Sequence, residues 1–263
     1  MNLLEQILKE RHSDIAVARK NMPIEKLRKA ATKRKHRSLV EQLRSGCSPR
    51  IVAEVKKASP SAGIIRRNYE PAATAKIYEQ GGACGISVLT EPRHFLGSVE
   101  HMATVRKNVS LPILRKDFIC DAYQICETAA YGGDVVLLIV AALDKALLRS
   151  LYEEALRYGL DTIVEAHTKK ELTLALDMEN AIVGINSRNL ATLKCDLSVV
   201  QQLAASIPAN RLCIAESGIK THTDVVKLDK LGYDGLLVGE ALLRENNPAA
   251  KIRELTGRDS DTL

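Results

Sequence analysis

Tryptophan is absent from this 263-residue sequence, and aromatic residues make up only 3% of it. The core must therefore be aliphatic, which suits the Val/Ile/Leu-rich strands of a parallel sheet buried on both faces. Long apolar runs are also missing. The longest, Val135 to Leu143, falls far short of the roughly 20 residues of a membrane-spanning helix. The N-terminus carries no apolar signal core, so a soluble protein of the cytoplasm is expected. The six cysteines, Cys47, Cys84, Cys120, Cys126, Cys195 and Cys213, form no CxxC pair and no zinc-like spacing with histidine. They read as reduced thiols. There is no P-loop and no GxGxxG. The histidines are scattered at His12, His36, His94, His101, His167 and His222. None forms a convincing metal set with a carboxylate, so chemistry without a metal or bound organic cofactor is expected.

Basic charge is what the chain does have. The net charge is +6 and the pI near 9.0. That balance favours anionic ligands without separating nucleic acid from a phosphorylated metabolite. Much of it lies between Lys26 and Arg44, with Arg28, Lys29, Lys33, Arg34, Lys35 and Arg37 between them. No aromatic ring interleaves these cations to stack on bases. A solvated helix and loop is the simpler reading of the segment, and a nucleic-acid patch the rival.

The order of elements is more specific. Apolar runs suited to buried strands begin near Ile51, Cys84, Leu111, Asp134, Asp161, Ala181, Leu212 and Asp234. Helical patterns fall between them, over 71–80, 98–107, 122–131, 145–158, 169–176, 196–205, 221–231 and 248–255. Apolar spacing such as Leu147, Leu148, Leu151, Ala155 and Leu156 marks a helical face. Gly81-Gly82, Gly132-Gly133, Gly159 and Gly232 suit helix C-caps. Strict βα alternation without hairpin signals predicts a parallel sheet, and eight units predict closure into a (β/α)₈ barrel. A doubly wound open sheet is the structural alternative. Leu3, Leu4, Ile7 and Leu8 make an apolar helical face, and Met22-Pro23-Ile24-Glu25 reads as a turn into a second helix. Residues 1–263 are expected to form a single barrel domain, with 1–50 as an N-terminal helical extension.

Four of the strands stop on charge: Glu54, Lys56 and Lys57; Lys116 and Asp117; Glu165; and Glu216. In a parallel barrel all strand C-termini open on one face, so these groups would converge. His167, two residues past Glu165, is open between lining that site and a surface or supporting place. Two further segments suggest a phosphate cradle: Glu216-Ser217-Gly218-Ile219 after strand seven, and Val238-Gly239-Glu240-Ala241 after strand eight. Small residues there admit close backbone approach, and N–H groups at a helix start favour an anion.

These segments carry a resemblance. The run Ile51-Val-Ala-Glu54-Val-Lys56-Lys57-Ala-Ser59-Pro60-Ser61-Ala-Gly63, the stretch Ser87-Val-Leu-Thr90-Glu91 with Phe95-Leu-Gly97-Ser98, and Leu111-Pro-Ile-Leu-Arg-Lys116-Asp117-Phe118 occur in order. Gly184-Ile-Asn186-Ser187-Arg188-Asn189-Leu190 and Ala215-Glu216-Ser217-Gly218 follow. With these, the chain resembles the indole-3-glycerol phosphate synthase family over nearly its whole length. The resemblance implies a barrel lyase of tryptophan biosynthesis acting on 1-(o-carboxyphenylamino)-1-deoxyribulose 5-phosphate. It implies Lys116 as general acid, Glu165 in proton transfer, and Glu54 and Lys56 beside them, with the acid work not divided between the two lysines. Asn186 and Arg188 would orient the substrate, and Glu216 would hold a sugar hydroxyl or order the lysines. Ser59, Ser217, Gly218, Gly239 and Glu240 would surround the phosphate, and Phe95, Phe118 and Leu137 would wall the ring. No cofactor, membrane or nucleic-acid partner is implied. A monomer is expected, with docking of other enzymes of the pathway left open. Ser187, Ala62 and His94 depart from the family's usual Asn, Lys and aromatic residue, which bears on loop contacts and affinity. The rival within enzymes is another phosphosugar barrel, an isomerase or an aldolase forming a Schiff base on Lys116.

Overall fold

The computed structural model describes residues 2–32, 35–45, 48–190 and 192–258. Lys33, Arg34 and Cys47, named above, lie outside the described residues. Eight parallel strands close into a barrel: β1 Ile51–Val55, β2 Gly85–Leu89, β3 Ile113–Lys116, β4 Val135–Ile139, β5 Asp161–Ala166, β6 Ile182–Asn186, β7 Cys213–Glu216 and β8 Gly235–Val238. Each pairs with the next, and β8 returns to β1, with Ile51 opposite Leu236. An open doubly wound sheet is thereby excluded.

Helices follow the strands much as the apolar spacing predicts. Pro71–Gln80, Ala122–Ala130, Lys145–Arg157 and Lys169–Leu176 are examples. Gly82, Gly132, Gly159 and Gly232 all take positive φ beyond helix ends, a conformation that costs glycine little. Two short features stand beside these, a strand pairing the sequence reading lacks and the helix start it expects after the eighth strand. Ala58–Ser59 pairs antiparallel with Gly63–Ile64, and a four-residue helix, Glu240–Leu243, follows β8.

Strand parity builds two cores. Ile51, Ala53, Val55, Ile86, Val88, Val164 and Val183 face outward against the helices. Val52, Leu114, Val135, Leu137, Ile163, Ile182, Ile214 and Leu237 fill the barrel. With aromatics so scarce, both layers are aliphatic, as expected for a parallel barrel.

The N-terminal extension closes the barrel's two ends. Helix Leu39–Arg44 inserts Leu39 and Leu43, each 1% exposed, into the inner core. Asp161, at the start of β5, accepts from Ser38 Oγ and from the backbone N–H of Leu39 and Val40 on one oxygen. Arg37 donates to the carbonyls of Val109 and Leu111. The basic segment is therefore not simply solvated: it interrupts its helix at Ala31 and supplies the barrel floor.

The opposite face is spanned by helix Leu3–Asn21. Arg11, 6% exposed, pairs with Asp117 at 3.0 Å. Glu10 meets His94 at 2.7 Å, and Asp14 meets Arg93 at 2.5 Å. Each contact joins this helix to a loop leaving β2 or β3. Among the described residues no helix is long and apolar enough to cross a membrane.

Candidate active site

A charged group at the inward end of a buried strand has nowhere to go but the barrel mouth. Register brings three of them opposite neighbouring strand ends. Leu89 lies opposite Lys116, Ile139 opposite Glu165, and Asn186 opposite Glu216. Lys116 Nζ then sits 2.8 Å from Glu165 Oε2 and 2.7 Å from Glu216 Oε2. On the neighbouring wall, Lys56 Nζ lies 2.5 Å from Glu54 Oε1. Glycines make room for two of these carboxylates. A Cβ at Gly184 would stand 2.6 Å from Glu216 Oε1, and one at Gly239 would collide with Glu54.

Burial sets the charge states. Burial alone would pull the Lys116 ammonium down, but Glu165 and Glu216 outweigh it and hold the group above the usual lysine range. Burial likewise works against the Glu165 anion, yet Lys116 and His167 keep its carboxyl below the usual range. Glu216 differs. Burial, with Glu165 adding to it and Lys116 opposing, pushes it up to about 7. A charged amine between a fixed carboxylate and one titrating near neutrality is equipped to give and recover protons.

The cluster forms one end of a cavity of about 1160 Å³ that every residue given a role by the resemblance lines. Phe95 and Phe118, the only two phenylalanines in the sequence, both face it with ring centroids 6.2 Å apart. Phe95 is placed by Glu91, fully buried, whose carboxylate accepts from the N–H groups of Arg93, His94 and Phe95. Leu137 stands among the apolar lining. Across the mouth, Ser217 and Gly218 take positive φ of 69° and 77°. Ser59 and the start of helix Glu240–Leu243 line the same side. Asn186 Oδ1 accepts from the Arg188 N–H at 2.9 Å, and the Arg188 guanidinium donates to the Leu193 carbonyl.

Two of the charges at strand ends stand outside the cluster, although Asp117 touches the cavity. Asp117 engages Arg11, Arg115 and Thr90, and Lys57 does not line the cavity. His94 is taken up by Glu10 rather than by the cavity, and Ser187 donates to the Ser217 carbonyl beneath the loop after β7. Ala62 does line the mouth. Leu3, Leu4, Leu190, Leu193, Lys220, Arg244 and Lys251 also line it and were not singled out from the sequence. The apolar face containing Leu3 and Leu4 was visible, but nothing local tied it to a cavity built by strands far along the chain. Among the described residues no group of three or more His, Cys, Asp or Glu side chains is arranged to hold a metal ion.

Comparison with known proteins agrees with this geometry. The family model for indole-3-glycerol phosphate synthase matches residues 4–255. The chain belongs to the indole-3-glycerol phosphate synthase family. An indole-3-glycerol phosphate synthase of Dehalococcoides mccartyi (strain CBDB1) is 41% identical over 257 residues, covering 96% of this chain and 99% of the relative. One of Koribacter versatilis (strain Ellin345) is 42% identical over 258 residues, covering 97% and 98%. Among solved structures, 3-hexulose-6-phosphate synthase from Salmonella typhimurium superposes with a TM-score of 0.64 at 13% identity, covering 80% of this chain and 98% of that one. Thiamine phosphate pyrophosphorylase from Pyrococcus furiosus gives 0.62 at 15%, covering 84% and 97%. Those two likenesses concern the barrel fold. As a member of the family, the chain is a decarboxylating lyase of tryptophan biosynthesis that acts on a small phosphorylated substrate.

Proposed function

We propose that the cavity converts 1-(o-carboxyphenylamino)-1-deoxyribulose 5-phosphate to indole-3-glycerol phosphate, carbon dioxide and water, with Lys116 as the central acid. The observation that carries this reading is one ammonium held charged between two buried carboxylates. In the first step the carboxyl-bearing ring carbon bonds to the ketone carbon, and the ketone oxygen takes a proton from Lys116. The resulting iminium is an internal electron sink. Its adjacent C–C bond breaks, carbon dioxide leaves, and the electron pair restores the aromatic ring. The new hydroxyl then departs as water with a proton from an acid, while a base removes a ring proton. Glu165 takes part in these transfers, and Lys56, paired with Glu54, is the second candidate acid. Such groups each contribute about 10²–10⁴-fold.

Binding divides by chemistry. Phe95, Phe118 and Leu137 wall the aromatic ring. Asn186 and Arg188 orient the anthranilate carboxylate or the hydroxyls, and Glu216 holds a sugar hydroxyl or orders the lysines. Ser59, Ser217, Gly218, Gly239 and Glu240 surround the phosphate, the last through its backbone N–H at a helix start. Charge on Lys116 also argues against the aldolase reading, because a Schiff base forms from a neutral amine. The same reading takes residues 1–263 as one barrel domain with 1–50 as its extension. It further takes a cytoplasmic monomer, which sedimentation tests, with docking of other pathway enzymes left to binding measurements.

The deciding experiment adds the carboxyphenylamino substrate and follows indole fluorescence. A rise in the native protein that Glu165→Gln abolishes supports the assignment. Near-normal turnover in Glu165→Gln overturns the role given to Glu165. Trapping of substrate on Lys116 by borohydride overturns the synthase mechanism.

A further inference from the structure

His167 follows β5 directly, and it is outside the cavity lining. Its ring lies between two carboxylates. Nδ1 is 3.3 Å from Glu171 Oε2, and the His167 backbone N–H donates to that same oxygen at 2.8 Å. Nε2 is 3.4 Å from Glu165 Oε1, an ion-pair distance without a hydrogen bond, while the other Glu165 oxygen is on Lys116. Charge therefore alternates along a row that is half-buried at Glu171, His167 and Lys116 and buried at Glu165 and Glu216: Glu171, His167, Glu165, Lys116, Glu216. The row ends unevenly. Glu216 Oε1 is buried and has no hydrogen-bond partner among the described residues. Of the two carboxylates sharing Lys116, Glu165 has a cationic group on each side and Glu216 on one.

We propose that His167 is a positioning residue for Glu165: an imidazolium anchored by Glu171 that keeps Glu165 ionised and aligned on Lys116, leaving any odd proton of the pair on Glu216. This rests on the reading of Glu165 as a proton-transfer group. The groups facing the imidazole are Glu171 from helix Lys169–Leu176, Glu165 on its own strand and Glu216 from β7, with Lys116 beyond Glu165. Titration directions agree with the geometry. Burial opposes the imidazolium, but Glu171 and Glu165 outweigh it and raise His167 above the usual histidine range.

Two variants test this. His167→Gln removes the charge but keeps a hydrogen-bond donor. Glu171→Gln keeps the ring but weakens its anchor. Turnover of the carboxyphenylamino substrate is measured against pH, with kcat and KM separated. Loss of the imidazolium lets Glu165 hold its proton to higher pH. The acid limb of kcat in His167→Gln is therefore expected to move up by about one unit, about a tenfold deficit on that limb, with kcat within about twofold of native at pH 9. KM is expected to change little, and Glu171→Gln to show a smaller shift of the same sign. Nitrogen NMR of the native ring at pH 6.5 is expected to show a predominantly doubly protonated imidazole. An unmoved limb, an equal loss of kcat at every pH, or a mostly neutral ring at pH 6.5 overturns the proposal. Should His167→Gln fail to fold, Glu171→Gln and the NMR signal decide. Glu165→Gln separates the two levels. Retained turnover there overturns the role of Glu165, whereas an inactive Glu165→Gln beside an unmoved His167→Gln limb overturns only that of His167.

Discussion

Lys116→Met tests the centre of the cluster in both turnover and stability. In the native chain Nζ lies 2.8 Å from Glu165 and 2.7 Å from Glu216, and both carboxylates are 1% exposed. Methionine keeps much of the side chain's bulk but leaves two buried carboxylates facing one another. Their oxygens, both bonded to one nitrogen in the native chain, lie within about 5 Å of each other. At an effective dielectric of about 20, two charges at that distance repel by about 3 kcal/mol. That corresponds to about two pK units, so the proton that native Glu216 gives up near 7 is held to higher pH once Lys116 no longer opposes it, while the unfolded chain gives it up near pH 4.3. A folded pKa raised above the unfolded value gives stability that is present at low pH and lost as pH rises through the folded pKa. Because native Glu216 is itself pushed up to about 7, only the rise beyond that value separates the two proteins, and the deficit relative to native, read by urea unfolding, is expected to be about 1–2 kcal/mol larger at pH 8.5 than at pH 5. Turnover, read by indole fluorescence, is expected to fall by about 10²–10⁴-fold at both values. An equal stability deficit at the two pH values would refute the reasoning, since the carboxylates would then not interact across the space Lys116 fills.

The glycine at 239 is expected to be intolerant: the Cβ of Gly239→Ala meets Glu54, displaces it from Lys56, and should cost about 10²-fold in kcat/KM with little change in Tm. Asp161→Asn should act on stability and leave kcat unchanged. One Asp161 oxygen accepts three hydrogen bonds from the floor segment, so urea unfolding should show a loss of about 2 kcal/mol at pH 7. Although burial works against that carboxylate, His36, the Val40 N–H and Ser38 hold it below its usual range. Its stabilisation is therefore present above the unfolded value of about 3.9, and the difference between Asp161→Asn and native should shrink as pH falls below it. Arg115→Met should destabilise by about 3–5 kcal/mol at pH 7 in the same assay, because Asp117 and Glu127 would lose a fully buried partner.

The barrel was legible because its strands are short Val/Ile/Leu runs and its helices end on glycine. Val135–Ile139 and Lys145–Arg157, the latter closed by Gly159, could be marked from these signals alone. The site was legible for a related reason. A lysine or glutamate closing a buried strand must face either the mouth or a buried partner, and Lys116, Glu165 and Glu216 face the mouth. What the sequence hid is the partner in the second case. Arg115 precedes Lys116, so strand parity turns it outward into the helix layer, where it is 1% exposed. Its burial is tolerable only because Asp117 and Glu127 meet it, and Asp117 in turn is met by Arg11 from the first helix. No spacing rule links Arg11 to Asp117 across 106 residues.

The same distinction applies to the basic segment, where Lys26, Arg28, Lys29, Lys35 and Arg44 are exposed as a solvated helix and loop predicts, and Arg37 is not. Lys26 to Arg44 carries enough positive charge to look solvated, and local pattern cannot show that Arg37 will find two free carbonyls at Val109 and Leu111. Nor can it show that Asp161, read only as the start of a strand, will cap the segment holding Leu39 and Leu43. The residues proposed to carry chemistry announce themselves by being out of place in their own strand. Residues that hold them there look ordinary until the chain returns. His167 stands between these classes: Glu165 lies two residues before it and Glu171 four residues after it, but only the fold carries Lys116 and Glu216 to the far side of Glu165.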